Sequence, residues 1–235
     1  MHEEPAANET WIHYSTLRDH FIGLVRPLDE AHMGTRVPMC PAWTVKDVAA
    51  HVCGLNNDLT DGITEGLGSD QRTTHHVSLR STKTIGDVCD EWLGYDSEMS
   101  AICERIPLWA TRLAADLTVH LHDVQHALEL PIDRDDRFTA VAADQYAGVF
   151  QQRVSDILGL GVTVELTNGA RRDADRALPS SGVTLRATPF DFLRSFTGRR
   201  SRHQVESLDW TGDPSRILDE AWSPYGTFQS NAVAD

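Results

Sequence analysis

No stretch of 18 consecutive apolar residues occurs in the 235-residue chain, so a membrane-spanning helix is not expected. Cysteine is scarce. Cys40, Cys53, Cys89 and Cys103 stand far apart and form no CxxC pair, which reads as reduced thiols of a cytoplasmic protein, each a small buried apolar residue. Basic residues are few as well: 21 Lys and Arg stand against 35 Asp and Glu, a formal net charge of −14. Such a chain repels polyphosphate, which argues against nucleic acid as a partner. The first ten residues, MHEEPAANET, carry neither a basic n-region nor an apolar h-region, so a secretory leader is not expected. Internal repeats and low-complexity segments are absent too. What is present is an ordinary globular balance, 40% hydrophobic and 24% charged, in a chain long enough for one large domain or two modest ones.

Helical periodicity dominates the first two thirds. Trp11, Tyr14, Leu17, Phe21, Leu24, Val25 and Leu28 mark a first helix from about Thr10 to Ala31, with Pro27 set to kink or shorten it. Thr44 reads as an N-cap with Asp47 three residues on, opening a second helix from Val45 to about Gly66. The polar run GLGSDQRTTHHVSLRST reads as a loop, and His75 and His76 in it receive no role. Thr84 opens a third helix, Pro107 a fourth that runs to about Leu130, and Phe138 to Leu158 forms a fifth. Beyond Gly159 the pattern changes. VTVEL and VTLRA read as short strands around the polar loop NGARRDADRALPSSG, followed by short helices at FDFLRSF and after Asp213–Pro214. The expected architecture is mainly α, an up-down bundle over residues 1–158 and a small α+β domain over residues 159–235.

Two segments offer metal-ligand chemistry. His51 lies on the second helix. Asp116, His120 and Asp123 on the fourth are spaced by four and three residues and share a face. His122 and His126 form a rival pair on another face, and periodicity alone does not choose between them. The apolar stripe Leu113, Leu117, Val124 and Leu128 runs closer to His120. One imidazole from one helix and an acid-xxx-His pair from another suit Zn²⁺, and three protein ligands leave a position open for water or substrate.

These residues resemble a known family. TRVPMCPAWTVKDVAAHV is similar to the Pro-x-x-Trp-Thr-Val-x-Asp-x-x-x-His signature of the mycothiol-dependent maleylpyruvate isomerases, relatives of the DinB-like bundle enzymes. Asp116, His120 and Asp123 match that family's later acid-xxx-His-xx-Asp element. FDFLRSFTGRRSR with WTGDP resembles its C-terminal segment. The resemblance implies a DinB-like four-helix bundle followed by a sterol-carrier-like α/β domain. It implies His51 and His120 as metal ligands, with Asp116 where the family usually has Glu. It also implies a divalent metal, most simply Zn²⁺, and mycothiol or a similar thiol as cofactors. Asp123 would then orient His120. Trp43 anchors the entry to the second helix.

A thiolate held on such a metal can add to an electrophilic carbon. Expulsion after bond rotation gives cis–trans isomerisation, retention gives S-transfer, and activation of water instead gives a hydrolase. Arg199, in the Gly-Arg pair, is the candidate for gripping a carboxylate of substrate or cofactor. The expected partners are a small-molecule substrate and a thiol, with neither nucleic acid nor membrane, in a monomer or small homo-oligomer. Asp in place of Glu at position 116 keeps open a non-catalytic binding or regulatory module, or a metal-independent biosynthetic enzyme, on the same scaffold.

Overall fold

The computed structural model describes residues 7–225 and 228–233, and divides into two compact units, Met1–Ile132 and Asp133–Asp235. Residues 1–6 of the acidic N-terminal stretch lie outside the described part.

The first unit is helical. It holds α1 (Ala7–Val25), α2 (Glu30–Met33), α3 (Val45–Thr60), α4 (Asp70–Arg80), α5 (Ile85–Gly94), α6 (Asp96–Arg105) and α7 (Pro107–Ala127). Tyr14, Leu17, Phe21 and Val25 form the buried stripe of α1, which packs on α6 and α7. The helix stops at Val25, ahead of Arg26 and Pro27, and a short α2 follows. Pro27 therefore shortens the helix, since its ring and missing N–H cannot continue the ladder. α3 opens with the expected capping box, Thr44 and Asp47 satisfying each other's backbone N–H groups. It ends at Thr60, six residues before Gly66, where the chain turns through Asp61 and Gly62. α5 also starts on a capping box, Thr84 with Asp87, but the third helix breaks at Tyr95 and resumes as α6. Pro107 occupies the first turn of α7. α1, α3, α7 and the broken α5–α6 make up the bundle.

The expected loop over residues 66–82 is a correction. Ser69 caps α4, an 11-residue helix whose buried positions are His76 and Arg80. A helix that buries an imidazole and a guanidinium shows no apolar stripe, so hydrophobic periodicity passes over it.

The second unit opens with α8 (Arg137–Leu158), capped by Asp136 and closed by Gly159 at φ 65°. The domain boundary thus falls after Ile132 and not after residue 158: α8 packs on the elements that follow it, α9 and β1. The strands are β1 (Gly161–Leu166), β2 (Arg171–Arg172), β3 (Ser180–Ala187) and β4 (Asp209–Thr211). β2 lies inside the stretch expected to be loop. The sheet order is β2-β1-β3-β4, with β1 and β3 parallel and both outer strands antiparallel to their neighbours. Val162, Val164, Leu166, Val183, Leu185 and Ala187 alternate along β1 and β3 and are buried. α8 and α9 (Pro189–Phe196) pack on these strands. Two short helices complete the unit, α10 (Arg202–Glu206) and α11 (Ser215–Glu220). The chain is therefore mainly α with a small four-stranded sheet in its C-terminal part.

No helix among the described residues is long and apolar enough to cross a membrane. Cys53, Cys89 and Cys103 are buried and Cys40 is half-buried, all four as free thiols. Burial pushes the Cys53 thiol up to about 12 and the Cys103 thiol to about 11, which keeps both protonated and inert.

Candidate metal centre

α3 and α7 pack against each other in the first unit. His51 projects from the second turn of α3 and Asp116 and His120 from successive turns of α7. Asp116 Oδ2 lies 3.8 Å from His51 Nε2, and Asp116 Oδ1 lies 3.8 Å from His120 Nε2. The two imidazole rings are 5.1 Å apart, centre to centre, and nearly perpendicular. One ligand atom from each of the three residues falls within 4.8 Å of the others. Ligand atoms around a tetrahedral Zn²⁺ with bonds of about 2.1 Å stand about 3.4 Å apart. The carboxylate-to-imidazole separations of 3.8 Å are close to that spacing, the set as a whole would have to draw in from within 4.8 Å, and two imidazoles with a carboxylate suit a divalent transition metal. Asp116, one methylene shorter than Glu, still reaches both rings. His51 and His120 are buried while Asp116 is about one-third exposed, so the trio is open on the carboxylate side.

The two faces differ in their neighbours and not in burial. His122 is as buried as His120. His120, however, faces His51, and its Nδ1 lies 3.4 Å from Oδ2 of the fully buried Asp123. This approach is on the ring nitrogen that points away from the trio and does not have hydrogen-bond geometry. Cys40 Sγ stands 4.0 Å from the same carboxylate oxygen, so Cys40, His120 and Asp123 form a second group of potential ligands sharing one imidazole.

Trp43 does more than anchor a helix entry. Its ring centre lies 5.0 Å from that of His51 and 6.0 Å from that of His120, so the indole covers both imidazoles. Arg199 belongs to the second unit, half-buried in the turn between α9 and α10, where its guanidinium donates to the Thr197 carbonyl at 2.5 Å.

His76 is the residue that the sequence reading left without a role. It is almost fully buried on α4, its Nδ1 lies 3.3 Å from His51 Nδ1, and its Nε2 lies 2.8 Å from Asp58 Oδ2. Arg72 grips both oxygens of Asp58, with Nε at 2.9 Å from Oδ2 and a second, shorter contact to Oδ1. Burial would raise the Asp58 carboxyl, but the hydrogen bonds from Arg72 and His76 outweigh it and hold the group below the usual carboxylate range. Burial lowers the His76 imidazole from its ordinary value against the pull of Asp58. The sequence signal for this residue was Ser69, an N-cap ahead of a helix with two buried polar positions.

Fold and geometry together define a helical bundle with a His–Asp–His donor set, followed by a small α+β unit. Residues 14–101 match the family described as "Mycothiol maleylpyruvate isomerase N-terminal domain". The match includes His51, Asp58 and His76 and stops before α7. Among solved structures, a histidine-to-alanine mutant of the mycothiol-dependent maleylpyruvate isomerase superposes with a TM-score of 0.56 at 14% identity, over 83% of this chain and 90% of that one. A second structure of the mycothiol-dependent maleylpyruvate isomerase covers the same shares at 15% identity and a TM-score of 0.49. No curated protein matches the sequence at a significant level. At 14% identity the likeness to the mutant structure establishes a shared fold and nothing more.

Proposed function

We propose that this protein is a metal-dependent enzyme that uses a low-molecular-weight thiol, mycothiol or a close analogue, for S-transfer to, or cis–trans isomerisation of, a small electrophilic substrate in the cytoplasm. The observation that carries the reading is the convergence of His51, Asp116 and His120 within 4.8 Å in a bundle of the maleylpyruvate isomerase type. A divalent metal held by these three would supply the Lewis acidity that keeps a thiol deprotonated at neutral pH. The chain's own side chains do the rest. His51 and His120 present imidazole nitrogens, and Asp116 contributes a negative charge. Asp123 takes the other side of His120, and Trp43 screens both rings from water. Arg199 is assigned to a carboxylate of the substrate or of the thiol, which its planar fork grips bidentately. Reversible addition of the thiolate to a conjugated carbon, rotation about the bond and expulsion of the thiol give cis–trans isomerisation. Capture without expulsion gives S-transfer.

Metal content and thiol dependence test this. The purified protein is expected to carry one divalent ion per chain, lost in His51→Ala and in His120→Ala, and its turnover of maleylpyruvate is expected to require added mycothiol. A folded wild-type protein that takes up no metal, or that turns over without thiol, sinks the reading.

A further inference from the structure

We propose that Arg72, Asp58 and His76 form a positioning chain that keeps the proton of His51 on Nδ1, so that the Nε2 lone pair of His51 is presented to Asp116 and His120. The proposal rests on the metal-site reading for its purpose, but its geometry stands independently of it.

The assignment follows from counting donors and acceptors. Asp58, gripped by the Arg72 guanidinium, is an ionised carboxylate and can only accept. His76 Nε2, 2.8 Å from Asp58 Oδ2, must therefore carry a hydrogen, because a lone pair at that distance would face an anionic oxygen. In the neutral imidazole the remaining nitrogen, Nδ1, is then an acceptor. His51 Nδ1 lies 3.3 Å from it and must be the donor. Once His51 spends its proton there, its Nε2 is bare, and Nε2 is the atom 3.8 Å from Asp116. Each link determines the next, and the chain ends at the trio.

Burial and packing show that the contact is built into the fold. His76 is 1% exposed and Asp58 2%, so neither group can exchange its partner for water. α4 approaches α3 this closely because residue 54 is glycine: a Cβ there would stand 2.3 Å from His76 Cγ and 2.6 Å from His76 Cβ. The Gly54 position, three residues after His51, is what lets the second imidazole lie beside the first.

Metal-binding histidines usually donate their second nitrogen to a carboxylate or a backbone carbonyl, and losing that partner typically lowers metal affinity about 10–100-fold. Here a second imidazole stands between His51 and the carboxylate. Arg72, Asp58 and His76 are positioning residues: they act through His51 and touch no substrate.

Two measurements on the full-length chain test the proposal. In the metal-free protein, long-range ¹H–¹⁵N correlation spectra are expected to show His51 protonated on Nδ1 and bare on Nε2. His51 protonated on Nε2 overturns the proposal without recourse to any variant. The second measurement is Zn²⁺ affinity by chelator competition. His76→Leu is expected to weaken binding about 10–100-fold. His76→Asn, whose amide oxygen falls near the position of the lost Nδ1, is expected to recover most of that loss. Unchanged affinity in folded His76→Leu overturns the proposal, as does equal loss in both variants. A wild-type protein that binds no Zn²⁺ but holds His51 as the Nδ1–H tautomer removes the metal reading and leaves the positioning chain standing.

Discussion

In the bundle unit the interior includes Arg18, His51, Asn56, Asp58, His76, Arg80, His120, His122 and Asp123; in the second unit it centres on Phe150, Phe192, Phe196 and Trp222. Among the described residues every buried imidazole and buried carboxylate belongs to the first. Several polar groups of the bundle come in hydrogen-bonded sets. Tyr14 donates to Asn56 Oδ1 at 2.8 Å and accepts from Trp92 Nε1 at 3.0 Å. Arg80 donates to Glu91 at 2.5 Å and to Asn57 at 3.2 Å, and Lys83 reaches the same Glu91 at 2.8 Å. The second unit instead stacks rings. Phe192 and Phe196 lie 5.7 Å apart and nearly parallel, Phe150 and Trp222 meet edge to face at 5.2 Å, and Phe196 also contacts Trp222 and Tyr225. The difference teaches where each unit can carry chemistry. Aromatic burial contributes stability mainly through the apolar area it removes from water. Buried donors and acceptors stabilise only when all are matched, and the same matching holds reactive side chains in one orientation.

The contrast can be broken at its strongest point first. Phe196→Ala removes a fully buried ring from the centre of the aromatic cluster and is expected to cost about 3–5 kcal/mol in urea unfolding. A loss below about 1 kcal/mol would mean that the cluster repacks and is not the core of its unit. Arg80→Ala comes next, at roughly 3 kcal/mol, because it strips Glu91 of its most buried partner and leaves Asn57 without a donor. If Arg80→Met proves as stable as the wild type, the buried pair contributes orientation and not stability. The smallest effect is the acid limb. The Asp58 and Glu91 carboxyls both lie below their ordinary values, since hydrogen bonds from Arg72 and His76 on one, and from Lys83, Arg80 and Tyr95 on the other, outweigh burial. A depressed carboxyl adds stability that is fully present above its unfolded value, near 4, and is lost as pH falls through the folded one. Urea midpoints are expected to hold above about pH 5 and to fall below about pH 4. Glu91→Gln should flatten that fall, and an unaltered slope would remove Glu91 from the account.

The same contrast decides how much was legible in the sequence. Capping residues spoke plainly: Thr44 with Asp47, Thr84 with Asp87, and Pro107 each open the helix they announce, because a cap acts on its own neighbours within one turn. The alternating strands β1 and β3 were readable for a similar reason. α4 was not, since its inward positions are His76 and Arg80, and a polar inward face looks like a solvated loop until its partners are known. The α5–α6 break at Tyr95 and the membership of α8 in the second unit were also beyond local pattern, because both depend on what packs against those helices.

For the candidate site, sequence alone determined that Asp116, His120 and Asp123 project from one face of a helix, since the spacing of α-helical side chains is a local property. It determined, through a glycine and three caps, where helices could start and come close. Only tertiary packing brought His51 from α3 and His120 from α7 together beside Asp116 and set Trp43 over both rings. It also seated His76 behind His51. Apart from Trp43 with His51, those contacts join residues 25 to 77 positions apart, and nothing but the packing of helices determines which side chains at such separations meet.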